Sequence, residues 1–159
     1  MINPRIPVSA LALVLVATAG AHADTPPAPA NPNYDARLAQ ALGADEYGMR
    51  SYVLVLLRSS GHPVPKGPKR DAMFKGHMAN MQDLAKAGKL VMAGPLDGKN
   101  GLRGLFVFAL KDIGATRALV NTDPVIVQGE MVAEYHTFYS SAALMKVNAL
   151  HQRIMQKSP

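Results

Sequence analysis

The chain has 159 residues, 48% of them hydrophobic and 18% charged, with no cysteine and a formal net charge of +6. That length suits one domain with additions, and the apolar share is enough for a packed core rather than a disordered chain. The absence of cysteine excludes disulfides, thiolate nucleophiles and Cys-based metal sites.

The chain opens "MINPRIPVSALALVLVATAGAHAD", which reads as a secretory signal. Arg5 supplies the positive n-region, Ile6 to Gly20 the apolar core, and Ala21-His22-Ala23 the small-x-small cleavage motif. The apolar run is shorter than the roughly 20 residues that span a bilayer. Cleavage after Ala23 is therefore expected, with no stable membrane insertion afterwards and a periplasmic or secreted product starting at Asp24. Removing Arg5, the one charged residue of 1–23, takes the net charge from +6 to +5. An exported chain without cysteine fits a bacterial periplasm, where disulfides are optional.

Residues 24–50 read as a linker followed by a short helix. "DTPPAPANPNYD" is Pro/Ala/Asn-rich and extended. In "ARLAQALGADEYG", Leu38, Ala41 and Leu42 share a helical face that Gly43 ends. The main domain spans 51–139. Ser51 to Ser59 is a strand, apolar on both faces, and "SGHPVPKGPKR" is a loop broken by proline and glycine. "DAMFKGHMANMQDLAKAG" is a helix, with Asp71 as N-cap and Gly88 as the C′ residue. Its stripe is Phe74, Met78, Met81, Leu84 and Ala85, and His77 falls on the same side. "KLVMAG" is a second strand stopped by Pro95, and "DGKNG" is the turn after it. Gly104 to Leu110 is a third strand, again apolar on both faces. "DIGATRALVNTD" is a second helix, Asp123-Pro124 begins another turn or short helix, and Gly129 to Tyr139 is the fourth strand. Residues 140–159 read as a C-terminal helix with Leu144, Val147, Ile154 and Met155 roughly on one side.

The order βαββαβ is the ferredoxin-like pattern of an α+β domain, here with an extra C-terminal helix. Right-handed crossovers place both helices on one face of the sheet. Strands one and three nevertheless carry consecutive apolar residues, which implies burial on both faces. A second copy of the sheet would cover the open face, so a homodimer is expected. The competing arrangement has the C-terminal helix covering part of that face.

The basic residues, such as Lys86, Lys89, Lys99, Arg103, Lys111 and Arg117, are scattered singly. Nucleic-acid binders gather them on one face among aromatics, so no nucleic-acid partner is expected. A mild positive field suits a small anionic ligand.

His77 has two readings. It is a core-edge histidine holding a neighbour, or a general base or acid, since imidazole exchanges protons near neutral pH. Asp123 either caps the "NTDP" turn or holds an imidazole N–H and fixes its tautomer. Gly94 and Pro95 end the second strand as a plain terminator or as the rim of a cavity that admits a ligand. His136, on the side of the fourth strand that carries Val132 and Phe138, either faces a cavity or is a satisfied strand histidine. Arg58 and Arg103 either hold an anionic substrate or stand exposed at a strand end and a turn. His62 reads as solvated, and Met73, Met78, Met81 and Met92 as adaptable packing. There is no phosphate loop, no HxH or HExxH spacing and no nucleophile beside a base, so neither cofactor nor metal is expected.

The stretch "HMANMQDLAKAGKLVMAGP", then "LRGLFVF" and "TDP", resembles the YCII-related (YciI-like) family over Ser51 to Tyr139. The resemblance implies a ferredoxin-like, dimeric α+β barrel. It also implies a cleft in which a histidine and an aspartate are suspected of catalysis, here His77 and Asp123. One similar branch eliminates chloride from a chlorinated, hydroxylated aromatic without a cofactor. The signal, linker and C-terminal helix lie outside the usual domain. Two functions follow as expectations. One is a cofactor-independent lyase or isomerase moving a proton on a small cyclic or aromatic compound, with His77 as acid/base and Asp123 as its orienter. The other is a non-catalytic small-ligand or stress protein using the same cavity. A carboxylate bonded to His77 in an open pocket favours the first.

Overall fold

The computed structural model describes residues 31–157. The expected signal segment 1–23 and residues 24–30 of the linker lie outside the described residues. The chain divides into two units, Met1–Tyr34 and Asp35–Pro159, and the elements that follow belong to the second.

Asp35 starts helix α1 (Ala36–Leu42) by accepting a hydrogen bond from the Leu38 N–H, and Gly43 ends it at φ 66°. Strand β1 (Met49–Ser59) follows. Helix α2 runs Pro68–Lys86 with Gly67 as its N-cap, four residues before the expected N-cap Asp71. The "PKR" of the supposed loop is its first turn. Proline is at home there because its φ is already helical and its missing N–H would have had no partner. At the other end Gly88 N–H donates to Ala85 O and Lys89 N–H to Leu84 O, with Gly88 at φ 67°. This Schellman pairing makes Gly88 the C′ residue, as expected.

Strands β2 (Leu90–Pro95), β3 (Leu102–Phe108) and β4 (Met131–Ser141) complete a four-stranded sheet in the order β2-β3-β1-β4. Each neighbouring pair is antiparallel. Helices α3 (Ile113–Val120) and α4 (Pro124–Val127) connect β3 to β4. This is the ferredoxin-like α+β fold. The main core lies between sheet and helices, where Val53, Val55, Leu57, Phe106 and Phe108 meet Met73, Val120 and Val125. Fully burying a side chain of this kind stabilises by about 1.5–3 kcal/mol.

The expected single C-terminal helix is broken in two. Ala142–Lys146 forms a 3-10 turn, and α5 covers only Val147–Ile154. Leu144 and Met145 pack on a second cluster of Tyr52, Val91 and Val107, on the sheet face away from the helices. The kink divides the apolar side chains: Leu144 serves the sheet, Met155 lines a cavity, and Ile154 stands exposed. A straight helix has one apolar stripe and would serve one surface. The 3-10 turn thus covers part of the second face, while Leu54, Leu56 and Leu105 remain half-buried there.

Register slips in two places. Leu57 faces Gly104 but Arg58 faces Leu102, so Arg103 is the extra residue of a β-bulge. Leu90 faces Phe108 but Met92 faces Val107, leaving Val91 as a second bulged residue.

Candidate active site

A cavity of about 1100 Å³ opens between α2, the β2 and β3 half of the sheet, and α5. Its walls are largely apolar: Phe74, Met78 and Met81 from α2, Leu90 and Met92 from β2, and Phe106 from β3. Gly94 and Pro95 line it from the end of β2, as the cavity-rim reading required. Asn148 anchors α5 by donating through Nδ2 to Leu90 O at 2.8 Å, and the helix adds Ala149, His151, Gln152 and Met155 to the walls.

His77 lines this cavity from α2. Its Nδ1 lies 2.9 Å from Asp123 Oδ1 and 2.8 Å from Oδ2. A carboxylate only accepts, so Nδ1–H is the donor and the neutral tautomer leaves Nε2 with a free lone pair. Among the described residues Nε2 has no protein partner. The ring is held edge-on by Phe74 at 6.3 Å between centroids and tilted against Phe106 at 6.1 Å. Asp123 is 1% exposed, whereas the His77 side chain is 12% exposed, so the carboxylate sits behind the ring and the ring meets the cavity.

Local sequence explains how the pair meets. Asp123 is the N-cap of α4 and accepts the Val125 N–H at 3.1 Å, with Pro124 as the first helical residue. Both readings of "NTDP" therefore hold together: the same carboxylate caps a turn and carries the imidazole. One helical turn after His77, Asn80 Nδ2 donates to Thr122 Oγ1 at 2.9 Å. Two neighbouring α2 side chains thus grip two consecutive residues of the α3–α4 junction. This i, i+3 spacing puts both on one helix face.

Behind the other end of the cavity lies Glu130, fully buried just ahead of β4. Its Oε1 accepts from Arg70 at 2.6 Å and its Oε2 from Val64 N–H at 2.7 Å. Arg70 also donates to Val64 O at 2.9 Å and stacks over Phe74. Arg103 lines the cavity and lies 3.6 Å from Glu130 Oε1.

Two expected site residues are elsewhere. His136 pairs across from Leu54 and Arg58 from Val132, on the sheet face away from the helices. There His136 Nε2 meets Glu134 at 2.9 Å, and Arg58 lies 3.6 Å from Glu134 while donating to Asn100 O. Strand alternation decides this: Val53, Val55 and Leu57 point to the helices, so the partners of Leu54, Leu56 and Arg58 point away. Residues that sequence reasoning missed are Glu130, Arg70 and His151. A lone acidic residue directly ahead of an apolar strand was the available signal for Glu130. Among the described residues no three His, Asp or Glu side chains gather to hold a metal, and no helix is long and apolar enough to cross a membrane.

No protein-family model matches the chain, and none of the curated proteins matches it either.

Proposed function

We propose that this chain is a cofactor-independent lyase or isomerase that moves a proton on a small cyclic or aromatic compound. The observation that carries the reading is the His77–Asp123 pair: a buried carboxylate on Nδ1 and an unpartnered Nε2 at an open, apolar-walled cavity. In the proposed step Nε2 takes a proton from a substrate carbon or hydroxyl. The C–H or O–H bond breaks, its electron pair stays on the substrate, and the imidazolium is stabilised by Asp123. The imidazolium then returns the proton to another carbon, or, where the electron pair expels a leaving group, passes it to that group or to water. The phenylalanine pair around the ring fixes its plane, so little reorganisation accompanies the transfer.

The resemblance to YCII-related proteins supports the same reading, as does the ferredoxin-like fold on which the site is built. The proposal includes export: intact mass of the mature protein starting at Asp24 tests it, and a chain retaining 1–23 overturns it. It also includes a homodimer formed through the half-covered sheet face. That face carries Arg58 and Glu134 beside Leu54, Leu56 and Leu105. In a two-fold pairing a cation and a carboxylate on the same patch meet their opposites on the second copy.

The functional test compares His77→Asn with the parent on a panel of cyclic and aromatic compounds. Asparagine keeps hydrogen bonding but cannot exchange a proton near neutral pH. Turnover in the parent, lost in His77→Asn while ligands still bind, is the expected result. Ligand binding without turnover in the parent would leave the non-catalytic reading standing.

A further inference from the structure

The cavity carries a charge pattern that proton transfer does not use. Of the described side chains lining it, Lys86 and Arg103 are cationic, His77 and His151 are ionisable bases, and none carries a carboxylate. Three acidic groups border these side chains and each has a partner: Asp123 is buried behind the imidazole, Glu130 is satisfied by Arg70 and by the Val64 N–H, and Asp83 lies 3.8 Å from Lys86.

Arg103 is the cation placed to act. Strand alternation from Gly104, which faces Leu57, would send residue 103 to the opposite face of the sheet. The β-bulge cancels that alternation and turns the side chain toward the cavity and Glu130, an established use of bulges beside functional sites. Gly104 next to it has its own constraint, since a Cβ there would lie 3.0 Å from Gly94 O. The Arg103 side chain is 32% exposed, and its ion pair with Glu130, at 3.6 Å, is longer than a hydrogen bond. No hydrogen bond from its guanidinium is formed among the described residues. The fork is therefore held in direction by one charge and retains its donors for a ligand.

We propose that the cavity selects an organic monocarboxylate with an apolar body, and that Arg103 is its anchor. This rests on the reading of the cavity as the ligand site. A planar carboxylate matches a guanidinium fork with two parallel hydrogen bonds. The apolar walls suit a ring or short chain and oppose a strongly hydrated dianion such as phosphate. The carboxylate on Arg103 would set the ligand's register along the cavity, with its body among Phe74, Phe106, Met78 and Met81. Arg103 would then be a specificity-determining residue rather than a proton-transfer group.

The test is calorimetric or NMR titration of the full mature chain with benzoate, phenylacetate and octanoate, each beside its primary amide, and with inorganic phosphate. The acids are expected to bind more tightly than their amides, by about 10–100-fold, the worth of hydrogen bonds to a charged group. Phosphate is expected not to compete. Arg103→Met should erase the difference between acid and amide, and Arg103→Lys should keep part of it. Acids and amides binding equally to the parent would overturn the anchor while leaving the cavity as a ligand site. An acid preference that survives in both Arg103 variants would overturn it too. Binding of neither series would remove the cavity reading itself, and the anchor with it.

Discussion

Gly76 lies against the ring of Pro124: a Cβ built at Gly76 would sit 3.0 Å from Pro124 Cγ. A glycine inside a helix costs about 0.5–1 kcal/mol relative to alanine, so its presence in "FKGHM" needs a compensating reason. The reason is proximity. Gly76 precedes His77 and Pro124 follows Asp123, so the approach of the two backbones closes the imidazole–carboxylate contact. Gly76→Ala is expected to push α2 from α4 and lengthen that contact. The gain in helix propensity and the cost of overpacking, about 1–3 kcal/mol, oppose each other. Stability should therefore change little while the downfield Nδ1–H resonance of His77 weakens or disappears. A higher melting temperature with that resonance intact would show that the close approach is not required.

The sequence revealed this site unevenly. Heptad-like spacing placed His77 on the apolar stripe of α2, and the turn chemistry of Asp-Pro marked position 123, because both are local signals. The contact between them spans 46 residues and depends on a missing Cβ at Gly76, which no periodicity records. Arg58 and His136 were drawn toward the site by residue type, but the pairing of β1 with β4 puts them on the far face. Arg103 was left open between an anionic ligand and an exposed turn, and it lines the cavity. Alternation is the rule by which strand residues are assigned to faces, and a bulge breaks that rule at this residue. The C-terminal segment misled for a similar reason, since a 3-10 turn interrupts what composition reads as one helix.

Glu130 is expected to be a structural keystone for the loop ahead of α2. It is fully buried, holds Arg70 at 2.6 Å and accepts the Val64 N–H at 2.7 Å. Glu130→Gln keeps the volume but gives up the charge, and should cost about 1.5–3 kcal/mol, the range for hydrogen bonds to ionised groups. Glu130→Ala leaves the Arg70 charge and a backbone donor unpaired, and should cost more, about 3–5 kcal/mol. Urea unfolding of the two variants measures both. Equal costs would mean that loss of the charge, which both variants share, accounts for the whole effect, and that the lost volume and the extra unpaired donor in Glu130→Ala add nothing.

Tyr139 and Asp45 give a pH-dependent contact at the surface. The Tyr139 hydroxyl donates to Asp45 Oδ2, and Asp45 also accepts the N–H groups of Met49 and Tyr47. The bond from Tyr139 is the main cause that lowers the Asp45 carboxyl from its ordinary value of 3.8, and the same bond raises the phenol to about 12. The signs set two edges. The raised phenol gives a contribution intact below the ordinary tyrosine value of 10.0 and lost as pH rises through about 12. The lowered carboxyl gives a contribution intact above 3.8 and lost as pH falls through its depressed value. Carboxyl-carbon NMR should show Asp45 titrating late in the acid direction in the parent and returning toward 3.8 in Tyr139→Phe. An unchanged Asp45 titration in that variant would assign its shift to the backbone donors alone.

The homodimer prediction turns on the sheet face that the C-terminal turn leaves half covered. Leu144 and Met145 bury Tyr52, Val91 and Val107, but Leu54, Leu56 and Leu105 stay half-buried and Val132 is exposed. Val132 lies opposite Arg58 in the β1–β4 pairing. Val132→Lys would place a second cation there, and in a two-fold interface each copy would meet the other's added charge. Because Val132 is exposed in the protomer, the substitution should change protomer stability by no more than about 0.5 kcal/mol. Light scattering is expected to give the dimer mass for the parent and the monomer mass for Val132→Lys, with far-UV circular dichroism unchanged. A monomeric parent at micromolar concentration would mean that the 3-10 turn covers enough of the face for the protomer to stand alone. A variant that remains dimeric would move the interface to another surface, such as the exposed Leu150 and Ile154 of α5.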